Sequence, residues 1–382
     1  MTANQKPWWI WVFPLLTLAF LIAIPLFVWN ATDAILNSTD GDFGDVVIDP
    51  SKPGYESYVL ATPSHLTLGV DDAGGLVMVA IMGLAPNDEG GAILLLNPKT
   101  LLGEEETIAS VFKSGGLVEA ERALKDYLEI GFTTSNTMPS SSWGAYIASV
   151  SPVSVDLNNK VYELVAAENL SSDTSDCCFY EGVVQVGPSD IDLFLARSEG
   201  DDSGQLRHLR QEAFWRAWIE RLSEEAEVSL IPGEIEAGFG RMVSGFSKGK
   251  FVIVNLSQDM QPEATYITRA TVKDIVIDIV PFPLPSNPEA RSTVRLLDAV
   301  GGLDLAADYS LELVKAGAQI LIIGNASEFG GATELIYHDS KDADLVAEFQ
   351  KVLGGGEILY EPLTDAAVEI TVIIGEELNG RD

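Results

Sequence analysis

The sequence predicts a mixed α/β protein with a single N-terminal transmembrane helix. Three observations predict this class. The chain is uncharged from Pro7 to Trp29. Beyond that run, short apolar stretches of strand length alternate with longer stretches of helical period. A proline-rich segment at 281–288 then separates a large region from a smaller αβ pattern. With 382 residues, the chain is long enough for about two folded domains outside the membrane.

Composition excludes several classes of function. The chain has 57 acidic and 23 basic side chains and a formal charge of −34. This charge argues against nucleic-acid binding, which needs a basic face. It also argues against docking on anionic lipid through basic patches. Since 47% of the residues are hydrophobic, the chain is not predicted to be disordered. The two cysteines are adjacent and there are three histidines, which argues against a disulfide framework, a four-cysteine zinc site and a histidine-rich metal centre.

The uncharged run is predicted to be a membrane anchor. It is long enough to cross an apolar layer of roughly 30 Å, and tryptophans flank it at both ends, at Trp8, Trp9, Trp11 and Trp29. The alternative is a cleaved signal peptide, which would have a shorter apolar core and small residues at the cleavage site. Lys6 precedes the run, and the charged residues that follow it closely are all acidic. Residues 1–6 are therefore predicted to be cytoplasmic and the bulk of the chain extracytoplasmic.

The extracytoplasmic part is predicted to begin with an acidic tether at 30–56 and a large region at 57–280. Strands are predicted at 76–81, 92–96, 153–157, 161–165, 193–196, 252–256 and 275–280. Helices are predicted at 117–129 and 203–226. A linker follows at 281–291, because four prolines in eight residues exclude a helix or an inner strand.

The last region, 292–378, reads as a small two-layer αβ domain. Its predicted strands are 293–297, 318–323, 333–337, 357–360 and 368–374, and its predicted helices are 303–316 and 342–353.

The order of motifs resembles the LytR-CpsA-Psr family of envelope proteins, followed by that family's C-terminal companion domain. The similar segments are Asp72–Val79, Leu96–Thr100, Gly115-Gly116, Ser151–Val155, Leu195–Glu199, Arg207–Gln211 and Val294–Leu378. The resemblance implies a mixed sheet sandwiched by helices over 57–280. It also implies transfer of a glycopolymer from a polyprenyl-pyrophosphate carrier to the cell wall, with arginines on the pyrophosphate, acidic residues placing Mg²⁺ and an apolar groove for the lipid.

Carried onto this chain, the resemblance implies phosphate-binding roles for Arg197, Arg207, Arg210, Gln211 and Lys99. Arg207, Arg210 and Gln211 have the spacing of one helix face, and guanidinium groups suit bidentate phosphate contacts. The alternative is that these arginines form ordinary ion pairs with neighbouring carboxylates at Glu199, Asp201, Asp202 or Glu212.

The chain departs from the family pattern where the chemistry is most demanding. Gly74 and Thr100 replace two aspartates, and Glu199 replaces an arginine. Asp71 and Asp72 are the remaining candidates for a metal, and no cofactor is expected unless the chain is active with Mg²⁺.

Two other groups of residues leave alternatives open. Cys177-Cys178 is either a vicinal disulfide or a pair of free thiols. Three tryptophans either pack within the core, which is favoured, or line a lipid groove: Trp143, Trp215 and Trp218.

Two functions from different classes follow. The first is a degenerate binding or scaffold protein for polyprenyl phosphate, lipid-linked glycopolymer or cell wall polymer. The second is an active Mg²⁺-dependent phosphotransferase. The missing carboxylates favour the first. A transcriptional regulator is a third reading, which the acidic charge and the absence of a helix-turn-helix signal oppose.

Overall fold

The computed structural model describes residues 47–103, 105–158, 182–197, 204–225, 231, 234–254, 269–363 and 366–378. Two compact units are distinguished, Met1–Asp49 and Pro50–Asp382, and every element below belongs to the second. The predicted anchor at 7–29, the predicted strand at 161–165, Cys177-Cys178 and Glu199 lie outside the described residues. Within the described ranges, no helix has the length and apolar character needed to cross a membrane.

The prediction of a mixed α/β class is confirmed. The strands are β1 Glu56–Tyr58, β2 Ser64–Val70, β3 Leu76–Leu84, β4 Gly91–Leu96, β5 Thr134–Pro139, β6 Val153–Asp156, β7 Val183–Val186, β8 Phe251–Val254, β9 Ser292–Asp298, β10 Ala318–Asn325, β11 Glu334–Tyr337, β12 Glu357–Tyr360 and β13 Ile370–Ile374. The helices are α1 Ile108–Leu128, α2 Trp143–Ile147, α3 Ile191–Ala196, α4 Gln205–Glu225, α5 Gly238–Lys248, α6 Arg269–Ile279, α7 Leu305–Asp308, α8 Ser310–Lys315 and α9 Ala343–Leu353.

The first sheet has the order β5-β2-β3-β4-β8 and mixes parallel with antiparallel pairs. Its centre is β3, in which all nine residues are buried, as expected for a strand covered on both faces. One face packs against α2, α3, α4 and α5, and the other against α1 and α6. The sheet is therefore sandwiched by helices.

The second sheet has the order β1-β10-β9-β13-β11-β12. Its strands β9, β10 and β13 run parallel, and β1, from the beginning of the described chain, pairs antiparallel with β10 at the edge. Helices α8 and α9 cover one face of this sheet. The predicted helix 303–316 is two short helices, α7 and α8.

One hydrophobic cluster runs through both sheets. It includes Leu66 and Val79 from the first sheet and Val294 and Val372 from the second. Helix α6 packs against α8, and Lys315 Nζ lies 3.0 Å from Asp278 Oδ1 across this contact. The segment 281–291 is without helix or named strand, and the division of the chain there into separate domains stays a prediction.

Two predicted strands are wrong. Residues 193–196 belong to α3 and residues 275–280 mostly to α6. In α6, Val272 and Val276 are fully buried, so its apolar residues recur with the helical period when the residues before 275 are included.

Candidate anion-binding site

The predicted phosphate-binding residues lie close together at one end of the first sheet, where its strands finish or begin. At this edge β2 ends at Val70, β3 begins at Leu76 and β4 ends at Leu96, because β3 is antiparallel to both of its neighbours. We call this region the cationic edge and define it as the turn 71–75, the loop 97–100, Arg197, and residues 204–211 at the start of α4. The sheet therefore brings together segments that are far apart in sequence.

Arg210 lies at the base of the cationic edge and is fully buried. Its Nε donates to the main-chain carbonyl of Phe194, and its Nη2 donates to that of Arg197 at 2.6 Å. The guanidinium carbon also lies 5.6 Å from the centre of the Phe194 ring. These carbonyls belong to the last turn of α3, where a cation is favoured by the helix dipole. Arg210 thus fixes the end of α3.

Gln211 has a related position. Its Nε2 donates to the carbonyl of Leu195 at 2.8 Å and to that of Val77 at 3.0 Å, and its side chain is 1% exposed. One amide group thereby links α4 to α3 and to β3. We conclude that Arg210 and Gln211 hold the frame of the cationic edge through these bonds.

Arg207 is half-buried, one turn nearer the start of α4 than Arg210. A Cβ atom placed on Gly204 would lie 3.3 Å from Arg207 Nη2 and 3.6 Å from Asn97 Oδ1. Arg207 and Asn97 therefore face the same small space. Asn97 Oδ1 also accepts a hydrogen bond from the backbone N–H of Lys99 at 3.0 Å, and the Lys99 side chain is exposed.

Asn97 is not among the site residues that the sequence predicts. Its position directly before Pro98, at the end of a buried strand, is typical of a turn that starts with a side-chain hydrogen bond. That signal predicts the turn, but not its proximity to Arg207, which depends on how α4 packs.

Arg197 follows α3 directly and is half-buried. The sequence pattern predicts that Arg197 ends a strand, and the structure places it at the end of a helix. Of the alternative carboxylate partners, Glu199, Asp201 and Asp202 lie outside the described residues, and Glu212 Oε1 lies 3.3 Å from Nε2 of His208.

The candidate metal ligands lie in the turn between β2 and β3. Asp71 Oδ1 accepts hydrogen bonds from the backbone N–H groups of Gly75 at 2.7 Å and Ala73 at 3.0 Å, so one carboxylate oxygen stabilises the turn. Asp72 is exposed, whereas Thr100 is 4% exposed and offers a hydroxyl. In the described ranges, no group of three or more His, Cys, Asp or Glu side chains has the arrangement of a metal site.

The three tryptophans are core residues, which is the alternative that the sequence favours. Trp143, Trp215 and Trp218 are each at most 1% exposed. Trp143 packs edge-on against both of the others, with ring centres 5.5 Å apart. Trp215 and Trp218 belong to α4, so their packing against Trp143 anchors the helix that carries Arg207 and Arg210.

Comparison with known proteins assigns the C-terminal part of the chain. Residues 291–377 match the family model LytR_C, described as the LytR cell envelope-related transcriptional attenuator. This match confirms the resemblance of Val294–Leu378 to the companion domain. No curated protein matches the chain.

Solved structures similar to the chain include a structure of TagT bound to LIIa-WTA, with 12% identity and a TM-score of 0.43, covering 61% of this chain and 93% of that one. A LytR-CPS2A-psr family protein, YwtF (TagT), with bound octaprenyl pyrophosphate lipid has 12% identity, a TM-score of 0.41, and coverage of 61% and 92%. TagV from B. subtilis has 18% identity, a TM-score of 0.41, and coverage of 58% and 98%.

Proposed function

From the premise that residues 291–377 form a LytR C-terminal domain, we propose that the chain is a membrane-anchored, extracytoplasmic cell-envelope protein of the LytR-CpsA-Psr type. It binds polyprenyl-(pyro)phosphate-linked glycopolymer at the cationic edge and has weak or no transferase activity. The observation that carries this proposal is the meeting of Arg207, Asn97 and the Lys99 loop beside Gly204, in a chain whose formal charge is −34.

The geometry supports an anionic ligand. Arg207 and Lys99 supply positive charge, and the side-chain amide of Asn97 is a further hydrogen-bond donor. Gly204 has no side chain, so a phosphate oxygen can approach the space between Arg207 and Asn97 closely. Guanidinium groups bind phosphate oxygens through two parallel hydrogen bonds, which gives both affinity and orientation.

The residues of the same region argue for low or absent transferase activity. Phosphoryl transfer depends on a divalent ion that neutralises charge as the leaving group departs. Gly74 and Thr100 offer no carboxylate, and Asp71 already uses one oxygen in its turn. Lys99 gives a single point charge in place of a fork.

The alternative is an active Mg²⁺-dependent phosphotransferase that attaches glycopolymer to the cell wall. Asp71 and Asp72 lie at the same sheet edge as Arg207, and Mg²⁺ bound to phosphates needs only one or two protein carboxylates. In that case Asp71 Oδ2 and Asp72 would hold the ion, and its chemistry would be stabilisation of the pyrophosphate charge.

Binding is tested by isothermal titration of the full chain in detergent with a short-chain polyprenyl pyrophosphate. We expect Arg207→Ala combined with Lys99→Ala to weaken binding at least about 100-fold, since each charged hydrogen bond contributes roughly 1.5–3 kcal/mol. Arg221→Ala is the matched control, because Arg221 is on the same helix and pairs with Glu224 at the surface. Equal affinities of the double variant and the control would refute the site.

Catalysis is tested separately by measuring Mg²⁺-dependent cleavage of the pyrophosphate. We expect little turnover by the unmodified chain and an increase when Gly74→Asp, Lys99→Arg, Thr100→Asp and Glu199→Arg are combined. Rapid turnover that is lost in Asp71→Asn or Asp72→Asn would establish the phosphotransferase instead.

A further inference from the structure

A pocket of about 780 Å³ lies at the other end of the first sheet, opposite the cationic edge. Here β2 and β5 begin and β3 ends, and the proline-rich segment passes over them. We call it the linker pocket. Its lining residues are Val59, Leu60, Ala61, Thr62, Pro63, Leu84, Pro86, Asp88, Thr133, Arg241, Phe282 and Leu284.

The wall of the linker pocket is formed mainly by apolar side chains. The backbone polar groups along it are paired with one another and leave few donors or acceptors for a ligand. Thr62 N–H donates to the carbonyl of Phe282 at 2.8 Å, and Phe282 N–H donates to Thr62 Oγ1 at 3.1 Å. Leu84 N–H donates to the carbonyl of Pro63, and Gly131 N–H to that of Leu284. Aliphatic and aromatic side chains therefore form most of the surface that a ligand would meet.

Among the described lining residues, Asp88 and Arg241 are the charged ones. Arg241 Nη2 lies 2.8 Å from Asp88 Oδ2 and 3.0 Å from Oδ1, and Nε lies 3.3 Å from Oδ2. Asp88 holds a left-handed backbone conformation with φ of 56°, an uncommon state for a residue other than glycine. The pair uses one side of the guanidinium, and within the described chain Nη1 makes no hydrogen bond.

We propose that the linker pocket binds a single-chain amphiphile with one anionic headgroup. The alkyl chain lies against Leu84, Phe282 and Leu284, and the headgroup accepts hydrogen bonds from Arg241 Nη1. The volume is within the range of small-molecule pockets, roughly 300–1,000 Å³. Asp88 occupies the Nε and Nη2 side of the guanidinium, so the donor left for a headgroup is Nη1, which an anionic oxygen can accept from and an ammonium group, having no acceptor, cannot.

This site is separate from the proposed glycopolymer site. The seven residues of β2 run from the linker pocket to the cationic edge, a distance of about 20 Å at roughly 3.3 Å per residue. A headgroup at Arg241 is therefore too far from Arg207 to share its phosphate.

The test uses the full chain in phosphatidylcholine nanodiscs with palmitate that carries a diazirine on its alkyl chain. After irradiation, mass spectrometry should find the label in 59–63 and 282–284. We expect about a tenfold decrease in labelling with Arg241→Gln, which removes the headgroup donor. Ala61→Trp, at an exposed lining position, should decrease labelling by obstructing the pocket, whereas Val118→Trp, on the exposed side of α1, should leave it unchanged.

Two further arms identify the ligand chemistry. A diazirine-bearing alkylamine of the same length should label these segments weakly, and excess short-chain polyprenyl pyrophosphate should not displace palmitate. Labelling that is equal for amine and acid, that survives Arg241→Gln and Ala61→Trp together, or that polyprenyl pyrophosphate abolishes would overturn the proposal. Loss of glycopolymer binding in the Arg207 and Lys99 variant would leave palmitate labelling intact, so the two proposals fail independently.

Discussion

The Nη2 atom of Arg210 donates to the main-chain carbonyl of Arg197 at 2.6 Å, so one predicted phosphate-binding residue positions another. Arg210 is fully buried and holds the end of α3, whereas Arg207, three residues earlier, is half-buried and faces Asn97. The two arginines share one face of α4 and differ in what they stabilise. The frame of the site and its contact with a ligand can therefore be separated by mutation.

Replacement of Arg210 should affect folding more than replacement of Arg207. Arg210→Met leaves the carbonyls of Phe194 and Arg197 without their donor, and we expect the free energy of unfolding to fall by about 3 kcal/mol. Arg207→Ala should lower it by less than about 1 kcal/mol. Urea denaturation followed by tryptophan fluorescence measures both, since Trp215 and Trp218 lie on the same helix. Equal losses would show that Arg207 is also part of the frame.

Helix α1 should be sensitive at its kink. Gly116 has φ of 65° and ψ of −152°, a conformation that residues with a side chain rarely adopt. Gly116→Ala should destabilise the chain by about 1–3 kcal/mol even though a Cβ there meets no atom within 4 Å. Gly103→Ala is the control, because its Cβ also meets nothing and its φ is not positive. If the two variants are equally stable, the kink is not a constraint of the fold.

His65 should make stability depend on pH. Burial lowers the pKa of His65 below its ordinary value of 6.5, although the hydrogen bond with Asn136 raises it. The folded state therefore favours the neutral ring, and the unfolded state takes up a proton first as the pH falls. Stability from this group is present above about pH 6.5 and is lost as the pH falls through the folded pKa.

The comparison is between the wild-type chain and His65→Gln, in which the side chain can still bond to Thr134 or Asn136. The difference in free energy of unfolding between the two should shrink from about pH 7 to about pH 5. A constant difference would show that His65 does not titrate between the folded and unfolded states.

The C-terminal domain should fold alone but less stably than in the chain. A fragment of residues 289–382 should unfold cooperatively, as the linker predicts. It lacks β1 at the sheet edge and the contact between α6 and α8, so its Tm should lie about 10 °C below that of the chain. A non-cooperative fragment would instead show that the hydrophobic cluster through both sheets is one folding unit.

The topology prediction is tested in cells. If residues 7–29 span the membrane with 1–6 inside, protease added to intact spheroplasts should digest the chain after about residue 30. A protected C-terminal domain would place the bulk of the chain on the other side.

Apolar runs of strand length predict most of the described strands. Strand β3 is an example, since its nine residues are all buried. The wrongly predicted strands at 193–196 and 275–280 are short apolar runs, and a run of that length fits a strand or one turn of a buried helix equally well. Their packing against α4 and α1 decides the outcome.

Strand β2 and helix α5 are among the elements that the sequence pattern does not predict. In β2, His65 and Thr67 interrupt the apolar pattern, but both bond to side chains of β5 and are buried. In α5, the glycine content lowers helix propensity, yet Gly240 is required because a Cβ there would lie 2.2 Å from the backbone oxygen of Glu234. Both depend on tertiary contacts.

The candidate site was predictable in its charges but not in their division of labour. The helical spacing of Arg207, Arg210 and Gln211 correctly places them on one face. It cannot show that Arg210 and Gln211 donate to carbonyls of α3 and β3, because those contacts join residues as far apart as Gln211 and Val77.

The pairing of β1 with β10 has a consequence for how the protein is made. Asn325 Nδ2 donates to the carbonyl of Pro50 across 275 residues of sequence, and Tyr58 is paired with Ile322. During synthesis the edge strand emerges early and has no partner until nearly all of the chain has followed. Exposed Tyr58 and Leu60 are then available to other chains. We expect a ribosome-bound or exported intermediate to need protection of this N-terminal strand until the last domain is complete.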